Sequence, residues 1–225
     1  MHAEHSSYRE ADKMAINNLN ITRVFCIGLN YTEHIRELSN EVPAAPVIFM
    51  KPATCVIGSG EKIHFPTHGK DFHHEVELVV KVGEEGKPRT KEEALSFVDS
   101  ITVGLDLTLR DVQKDLRKNG MPWEISKAFD QSAPVGDFVP YTKALDLGNI
   151  SFGCKVNGVE RQKGNTNSMI HGIPALLMAV SKIWKLYPGD ILFTGTPAGV
   201  GPLKIGDTIE VYGDNIGTFS WNIIE

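Results

Sequence analysis

The chain has 225 residues, of which 23 are basic and 28 acidic, and its formal net charge is −5. A negative balance argues against a nucleic-acid-binding protein, because such proteins need a basic surface to neutralise phosphates. With 41% hydrophobic and 23% charged residues, the composition is typical of a chain that buries a core and unlike that of a disordered one.

The length and the apolar segments predict one soluble domain. A chain of this size removes roughly 70–75% of its unfolded surface from water, which suffices for a single core. The longest apolar stretch, residues 173–180, is far shorter than the roughly 18 residues of a membrane span. The cysteines Cys26, Cys55 and Cys154 are odd in number and widely spaced, which favours a reducing compartment, and we expect the cytoplasm.

The first half of the chain shows short strand patterns. The leading residues have no strand or helix period, so we predict an N-terminal extension over residues 1–21 and one folded domain over residues 22–225. Strand patterns bounded by Gly and Pro clusters follow in chain order. They cover residues 23–27, 47–50, 76–82 and 101–109.

Two helical patterns separate these strands from a β-rich C-terminal third. One runs through residues 110–117 and stops at Gly120, and the other begins near Pro174. The second has an apolar stripe that we expect to face the core, made of Ile173, Leu176, Leu177, Val180 and Ile183. Strand patterns return at residues 191–194, 208–212 and 218–223. Many short strands and few helices predict an α+β, mainly β domain and argue against a doubly wound sheet.

Residues 73–80, His-His-Glu-Val-Glu-Leu-Val-Val, carry two carboxylates. If this segment is a strand, Glu75 and Glu77 lie on one face with Cα atoms roughly 6.5 Å apart. They could converge on one divalent cation, although two glutamates on one face are also typical of a solvated strand. We expect His74, on the opposite face, to lie outside such a cluster.

A third carboxylate, Asp106, lies within the apolar run 103–109. Aspartate is a poor strand former, so a compensating partner is expected there. Carboxylates with no cysteine nearby suit a hard ion, Mg²⁺ or Mn²⁺, with Ca²⁺ as a further candidate.

Two further positions have the side chains that proton transfer or anion binding requires. His34 and Glu37 are three residues apart, so a helical turn would pair them and let the histidine take a proton from water. The same spacing occurs in ordinary surface ion pairs. Lys127 stands among residues expected to be partly buried, where a lysine either faces an anionic substrate or extends its amine to solvent.

Residues 194–201, Thr-Gly-Thr-Pro-Ala-Gly-Val-Gly, follow a strand pattern. Their backbone N–H groups and hydroxyls could bind a carboxylate or a phosphate. The segment has no P-loop lysine and no helix pattern after it, which argues against nucleotide binding.

Taken in order, these segments resemble the fumarylacetoacetate hydrolase family, in particular its short single-domain members that act on acylpyruvates and oxaloacetate. The resemblance covers the chain from about residue 23 onward. Its motifs are Gly-Leu-Asn-Tyr-x-x-His, Phe-Met-Lys-Pro, His-Glu-Val-Glu-Leu, Gly-Leu-Asp-Leu-Thr-x-Arg-Asp-x-Gln, Ser-Lys-Ala-Phe-Asp and Thr-Gly-Thr-Pro-x-Gly-Val-Gly.

The resemblance implies a mixed β-roll or barrel with a few short helices, assembled as a homodimer around a small 2-oxo acid site. The implied ligands of the divalent cation are Glu75, Glu77 and Asp106. The implied catalytic residues are His34, Glu37 and Lys127. The implied substrate-binding residues are Arg110, Gln113 and Thr196.

The resemblance also implies a metal-dependent cleavage of a C–C bond, with acylpyruvate hydrolysis to a carboxylate and pyruvate as the leading prediction. His34 and Glu37 would activate the water. Oxaloacetate decarboxylation, oxaloacetate keto–enol tautomerisation and hydroxymuconate-type isomerisation share the same metal site, so the motifs do not rank these reactions. A non-catalytic module that uses the acidic cluster as a structural ion site is the alternative from another class.

Overall fold

The computed structural model describes residues 20–37 and 41–225 of the chain. The extension predicted over residues 1–21 therefore lies outside the described residues, apart from Asn20 and Ile21. Strand residues outnumber helical ones, 38% against 21%, which confirms the α+β, mainly β prediction. None of the described helices is both long enough and apolar enough to cross a membrane.

The elements follow one another in an irregular order of strands and short helices. The strands are β1 (Arg23–Gly28), β2 (Val47–Lys51), β3 (Val56–Ile57), β4 (Lys62–His64), β5 (Phe72–His74), β6 (Val76–Val82), β7 (Val98–Leu105), β8 (Thr108–Leu109), β9 (Ala133–Pro134), β10 (Val139–Pro140), β11 (Ser151–Val156), β12 (Val159–Asn165), β13 (Asp190–Phe193), β14 (Gly201–Pro202), β15 (Thr208–Gly213) and β16 (Gly217–Ile224). The helices are α1 (Thr32–Glu37), α2 (Lys91–Ser96), α3 (Arg110–Lys118), α4 (Glu124–Lys127) and α5 (Ile173–Ile183).

The described strands form open sheets. The largest has the order β10-β7-β6-β13-β1-β2, a second has β12-β11-β15-β16-β4, and two small sheets join β14-β5-β8 and β3-β9. Strand β1 pairs parallel with β13 and antiparallel with β2, so the sheet is mixed, as expected. The barrel alternative is wrong for this part of the chain. One edge strand of the largest sheet is the short β10, where Pro140 has no N–H to extend the ladder.

The apolar stripe of α5 is buried over most of its length. Pro174 lies in the first turn of the helix, and Ile173, Leu176, Leu177 and Val180 are buried. The prediction for Ile183 is wrong, because this side chain is 60% exposed. Ile183 is the last helical residue, and the chain is already extended at Trp184, so the end of the stripe passes beyond the core.

The strand predicted over residues 76–82 forms as β6, whereas the one predicted over residues 101–109 is broken at Asp106, and the segment 73–80 is broken at Glu75. Strand β7 ends at Leu105 before Asp106, and β5 and β6 are separated by Glu75. Pairing continues on both sides, because β6 is antiparallel to β7 in the large sheet and β5 is antiparallel to β8 in the small one. The two strands thus form one ribbon that bends from one sheet to the other. The candidate site lies at this bend.

Candidate active site

The bend brings three carboxylates together. Glu75 lies across from Asp106, whose N–H donates to the Glu75 carbonyl at 2.9 Å, and Glu77 pairs with Gly104 in the register. One oxygen of each carboxylate lies within 4.8 Å of the other two. Glu75 and Glu77 are 5% and 1% exposed. The solvated-face alternative for these two residues is therefore wrong.

Three buried cations surround the carboxylates. Lys127 Nζ lies 2.8 Å from Glu75 Oε2 and 2.6 Å from Asp106 Oδ2. Arg110 binds Glu75 through its Nη2, and Lys51 Nζ lies 2.8 Å from Asp106 Oδ1. Lys127 therefore does not extend its amine to solvent. The partner expected for Asp106 is supplied by two lysines.

These neighbours shift the pKa values of the cluster in opposite directions. Burial, with repulsion from Asp106 and Glu75, raises the pKa of Glu77 well above its usual range. Burial alone would also raise the pKa of Glu75, but the charges of Lys127 and Arg110 hold it below that range. Burial alone would lower the pKa of Lys127, and Asp106 and Glu75 raise it instead. Lys127 thus stays charged, while Glu77 lacks sufficient positive charge nearby.

The donor set fits a hard divalent ion. Asp106 Oδ1 is buried and accepts no hydrogen bond from the described residues, because the approach of Lys51 is an ion pair without hydrogen-bond geometry. Apart from this ion pair, the oxygen has no polar partner among the described residues, so it is available to an ion. Oxygen ligands from three carboxylates are the kind that Mg²⁺ and Mn²⁺ prefer. Glu75, Glu77 and Asp106 could together hold such an ion.

The predicted His34–Glu37 pair forms on a single turn of α1. His34 Nδ1 lies 3.2 Å from Glu37 Oε2. His34 is buried, whereas the side chain of Glu37 is one-third exposed. Glu37 also accepts from the N–H of Gly199 at 3.2 Å, which ties the end of α1 to the Gly-rich segment. Because the imidazole is buried, this is not an ordinary surface ion pair.

Helix α3 begins where the ribbon ends and turns two polar side chains inward. Arg110 Nη1 donates to Gln113 Oε1 at 2.6 Å, and both residues are buried. The helix ends as predicted, with Gly120 after it in the left-handed region at φ +64°, where glycine is favoured. Arg110 therefore faces Glu75 in a fixed orientation.

The Gly-rich segment, residues 194–201, runs beside β6. Gly195 N donates to Glu77 Oε2 at 2.6 Å, and the Thr196 hydroxyl donates to the Val76 carbonyl at 2.9 Å. The segment leads into β14 and not into a helix, as expected. Thr196 is therefore beside the carboxylates, with its hydroxyl proton directed at the strand.

A cavity of about 30 Å³ opens among these groups. Its lining includes the predicted residues His34, Glu75, Glu77, Arg110, Gln113, Lys127 and Thr196. An aromatic wall made of Phe49 and Trp123, with ring centroids 5.8 Å apart, lines it as well. The structure thus gathers seven of the predicted residues around one cavity, whereas Asp106 and Glu37 do not line it and instead contact the lining residues Lys127 and His34.

The sequence reasoning missed two buried polar residues beside the site. Lys51 is the lysine of Phe-Met-Lys-Pro, and a lysine that ends an apolar strand pattern was a usable signal. Gln162 lies in β12, where the pattern is mostly polar and exposed. Its amide reaches His74 Nδ1 at 2.9 Å, and His74 is buried outside the carboxylate cluster, as expected. No local signal distinguishes Gln162 from its neighbours.

A structural ion site would need only the carboxylates, whereas here Lys127 and Arg110 also line the cavity. Such a set defines the class of enzymes that bind small anionic substrates. The family model described as fumarylacetoacetate (FAA) hydrolase C-terminal matches residues 23–224, and the chain belongs to this family. Its members are hydrolases, decarboxylases or isomerases that act on small oxo acids. The chain is an enzyme, and the non-catalytic module is the wrong alternative.

Relatives with named activities cover most of the chain. The mitochondrial oxaloacetate tautomerase FAHD1 of Bos taurus is 42% identical over 187 residues, 83% of this chain and 85% of that protein. The mitochondrial oxaloacetate decarboxylase of Dictyostelium discoideum is 40% identical over 189 residues, 84% and 87% of the two chains. The structure of fumarylpyruvate hydrolase from Pseudomonas aeruginosa with Mn²⁺ and pyruvate matches with a TM-score of 0.86 at 34% identity, covering 91% and 90%.

Proposed function

We propose that the chain is a divalent-metal-dependent enzyme that interconverts the keto and enol forms of oxaloacetate. The observation that carries this proposal is the charge set around the cavity, where three buried carboxylates lie beside three buried cations. With all six groups ionised, the three negative and three positive charges cancel, and Glu77, whose pKa burial and its acidic neighbours raise, would be ionised when the ion is bound. A divalent ion leaves two positive charges in excess, which matches a small dicarboxylate.

The ion would be held by Glu75, Glu77 and Asp106. When bound, it would polarise the 2-oxo group of the substrate and so make the proton on C3 more acidic. Mg²⁺ or Mn²⁺ is proposed, because either ion leaves coordination positions for substrate oxygens and water beside three carboxylates.

The side chains of Arg110 and Gln113 would orient the acid. Both are buried at the start of α3 and line the cavity. Arg110 can grip a carboxylate through two N–H groups, and its hydrogen bond to Gln113 holds the guanidinium plane in place. Thr196 and its neighbours would contact the carboxylate at the other end through backbone N–H groups, because the Thr196 hydroxyl already donates to the Val76 carbonyl. With both carboxylates of the substrate held, its C3 would face His34 and Lys127.

His34 would move the proton. Its Nδ1–H donates to Glu37, which leaves Nε2 as the ring atom able to accept a proton from C3. The electron pair of the C3–H bond then becomes the C2–C3 double bond, and the π pair of the C2–O bond moves onto the 2-oxo oxygen. That oxygen takes a proton from water to give the enol, and His34 returns its proton to solvent. Lys127, whose ammonium stays charged, would stabilise the negative charge that develops on that oxygen.

The relatives support a four-carbon acid. The tautomerase and the decarboxylase are named for oxaloacetate. The leading prediction of acylpyruvate hydrolysis therefore becomes the second candidate.

One observation favours that second candidate. His34 and Glu37 form a pair beside the carboxylates, and the same pair could activate a water molecule for attack on the C4 carbonyl of an acylpyruvate. The neighbouring fumarylpyruvate hydrolase binds pyruvate, the product of such a cleavage. Hydrolysis needs space for a water and an acyl group, whereas tautomerisation needs neither.

A substrate comparison tests the proposal. The protein is stripped of metal, reloaded with Mg²⁺ or Mn²⁺, and given oxaloacetate or acetylpyruvate while ultraviolet absorbance follows the enol and pyruvate assays follow cleavage. We expect tautomerisation to exceed oxaloacetate decarboxylation and acetylpyruvate cleavage by at least about tenfold, and EDTA to abolish it.

Matched variants accompany that comparison. Glu77→Gln should lose the activity, whereas Glu210→Gln, which alters an exposed ion pair with Lys155, should keep it. Faster cleavage of acetylpyruvate would favour the hydrolase, and a rate indifferent to EDTA would contradict both candidates.

We further propose that residues 22–225 form one catalytic domain, since the family model spans almost the same residues. The homodimer and the cytoplasmic location stay predictions of the sequence.

A further inference from the structure

Gln162 uses its whole amide in one buried network. The residue is 1% exposed. Its Oε1 accepts from the N–H of Val76 at 3.0 Å and lies 2.9 Å from His74 Nδ1. Its Nε2 donates to Thr196 Oγ1 and to the Pro197 carbonyl, both at 2.8 Å. All the hydrogen-bonding positions of the amide are thus occupied.

These contacts fix which way the amide faces. In the reversed orientation the amide nitrogen would meet the Val76 N–H, and the amide oxygen would meet the Pro197 carbonyl. Both pairs would be repulsive, so the orientation follows from backbone partners whose polarity is known. His74 then donates from Nδ1, and its ring is held by the same oxygen.

Three of the bonds close into a ring. Val76 N–H donates to Gln162, Gln162 donates to the Thr196 hydroxyl, and that hydroxyl donates back to the Val76 carbonyl. Val76 is the residue between Glu75 and Glu77. The ring therefore joins the strand that carries two carboxylates to the segment that carries Thr196, by way of a strand from another sheet.

Close packing at two glycines also joins β12 to residues 194–201. A Cβ on Gly199 would lie 2.2 Å from the Arg161 carbonyl, and a Cβ on Gly164 would lie 2.8 Å from the Pro197 ring. Strand β12 is thus the surface on which residues 194–201 rest, with little space between them. Within that segment the amide of Gln162 holds Thr196 and Pro197, whereas Thr194 and Gly195 bond to β6 directly.

We infer that Gln162 is a positioning residue that holds Thr196 at a set distance from Glu75 and Glu77, so that one substrate can span both. The inference rests on the proposed function, because it takes residues 194–201 to receive a carboxylate of the 2-oxo acid. Gln162 itself touches neither substrate nor metal. Its effect on the reaction passes through Thr196.

If Gln162 has this role, its loss should weaken substrate binding and leave metal binding almost unchanged. The carboxylates are also held by Lys127, Arg110 and the β6–β7 pairing, whereas the Thr196 hydroxyl depends on Gln162 and Val76. Gln162→Met, which keeps the length of the side chain, should leave Mn²⁺ affinity within about twofold. It should raise KM for oxaloacetate and the Kd of pyruvate by at least about tenfold, with a smaller fall in kcat.

The experiment measures three quantities on the folded, full-length protein. These are Mn²⁺ binding by titration, pyruvate binding to the Mn²⁺-loaded protein, and steady-state tautomerisation. Gln131→Met is the matched control, because Gln131 contacts His64 away from the cavity, and it should change none of the three. An unchanged KM and pyruvate Kd in Gln162→Met would overturn the inference, and so would an equal loss of Mn²⁺ affinity.

A second variant covers the case in which Gln162→Met does not fold. Gln162→Glu keeps the oxygen that faces Val76 and His74 but replaces the donor to Thr196 with an acceptor. It should raise the pyruvate Kd to a similar extent, and an unchanged Kd would overturn the inference. Combined with Thr196→Val, either variant should add little further loss, because both changes open the same ring.

The pyruvate arm separates this inference from the proposed function. If oxaloacetate is not tautomerised but the Mn²⁺-loaded protein binds pyruvate, the proposed function fails and the role of Gln162 is still decided by the change in Kd. If the wild-type protein binds no 2-oxo acid, both are overturned.

Discussion

Lys51 lies at the end of β2 with its side chain buried, and its amine is the cation nearest to Asp106 Oδ1. The same amine donates to the carbonyls of Ser132 and Leu107, at 2.7 and 3.3 Å. A buried carboxylate that loses its cation leaves an uncompensated charge, which costs far more than the pair itself contributes. Lys51 therefore stabilises the fold and adds a positive charge to the site.

Replacing Lys51 by Met should destabilise the metal-free protein by about 3–5 kcal/mol, because Asp106 would stay buried with less compensation. Urea unfolding measures this free energy. Added Mn²⁺ should recover part of the loss, since an ion held by Asp106 supplies positive charge in place of the lysine.

The matched control for Lys51→Met is Lys155→Met. Lys155 pairs with Glu210 at 3.0 Å, but both side chains are more than a third exposed. Loss of such a pair should cost less than about 1 kcal/mol. A comparably small cost for Lys51→Met would contradict the account of the buried charges.

At the scale of elements, the ribbon made by β5–β6 and β7–β8 positions the carboxylates. Its bend was not predicted, because alternating apolar residues continue through residues 101–109 and hide the break. The break depends on distant partners: Leu107 N–H donates to Ser132, and β5 pairs with β14. Neither partner is near in sequence, so periodicity alone could not reveal it.

Gly104 allows β7 to pack closely against β9 and β13 as well as β6. It lies opposite Glu77, and a Cβ there would be 2.7 Å from the Pro134 carbonyl and 3.1 Å from the side chains of Val79 and Phe193. Gly104→Ala should therefore destabilise the protein by about 1–3 kcal/mol. It should also weaken Mn²⁺ binding by about tenfold, because β7 must shift relative to Glu77.

Thermal unfolding and Mn²⁺ titration measure these two effects. Gly172→Ala is the control, since a Cβ at Gly172 meets nothing within 4 Å and its φ of −66° suits any residue. It should stay within about 1 kcal/mol of wild type, which includes the cost of alanine at the N-cap of α5, and should keep the wild-type Mn²⁺ affinity. Normal Mn²⁺ affinity in Gly104→Ala would show that the β6–β7 spacing does not set the carboxylate geometry.

At the scale of the whole molecule, contacts between residues far apart in sequence build both the large sheet and the site. Strand β1 lies parallel to β13, and Arg23 binds Asp190 across 167 positions. Local strands and helices follow from apolar patterns and turn residues, and the more apolar elements were predicted within a few residues, whereas β11, β12 and α2 were not. Sheet order depends on which edges meet in the folded chain, and no local pattern records that.

The candidate residues could be predicted only in part. Spacing alone suggests a function for two kinds of residue pair. One is a pair of carboxylates two residues apart on a strand, and the other is a histidine three residues before a glutamate. Their assembly required the ordered motifs, because each spacing alone also suits an ordinary surface. Gln162 is undetectable in the same way, since its partners Val76 and Thr196 are 86 and 34 positions away.

Anomalous diffraction at the manganese edge, from crystals grown with Mn²⁺ and pyruvate, tests the central claim most directly. The account predicts one strong peak per chain between Glu75, Glu77 and Asp106, with pyruvate oxygens beside it and near Arg110 or Thr196. No peak among the three carboxylates, or pyruvate bound away from the ion, would contradict it.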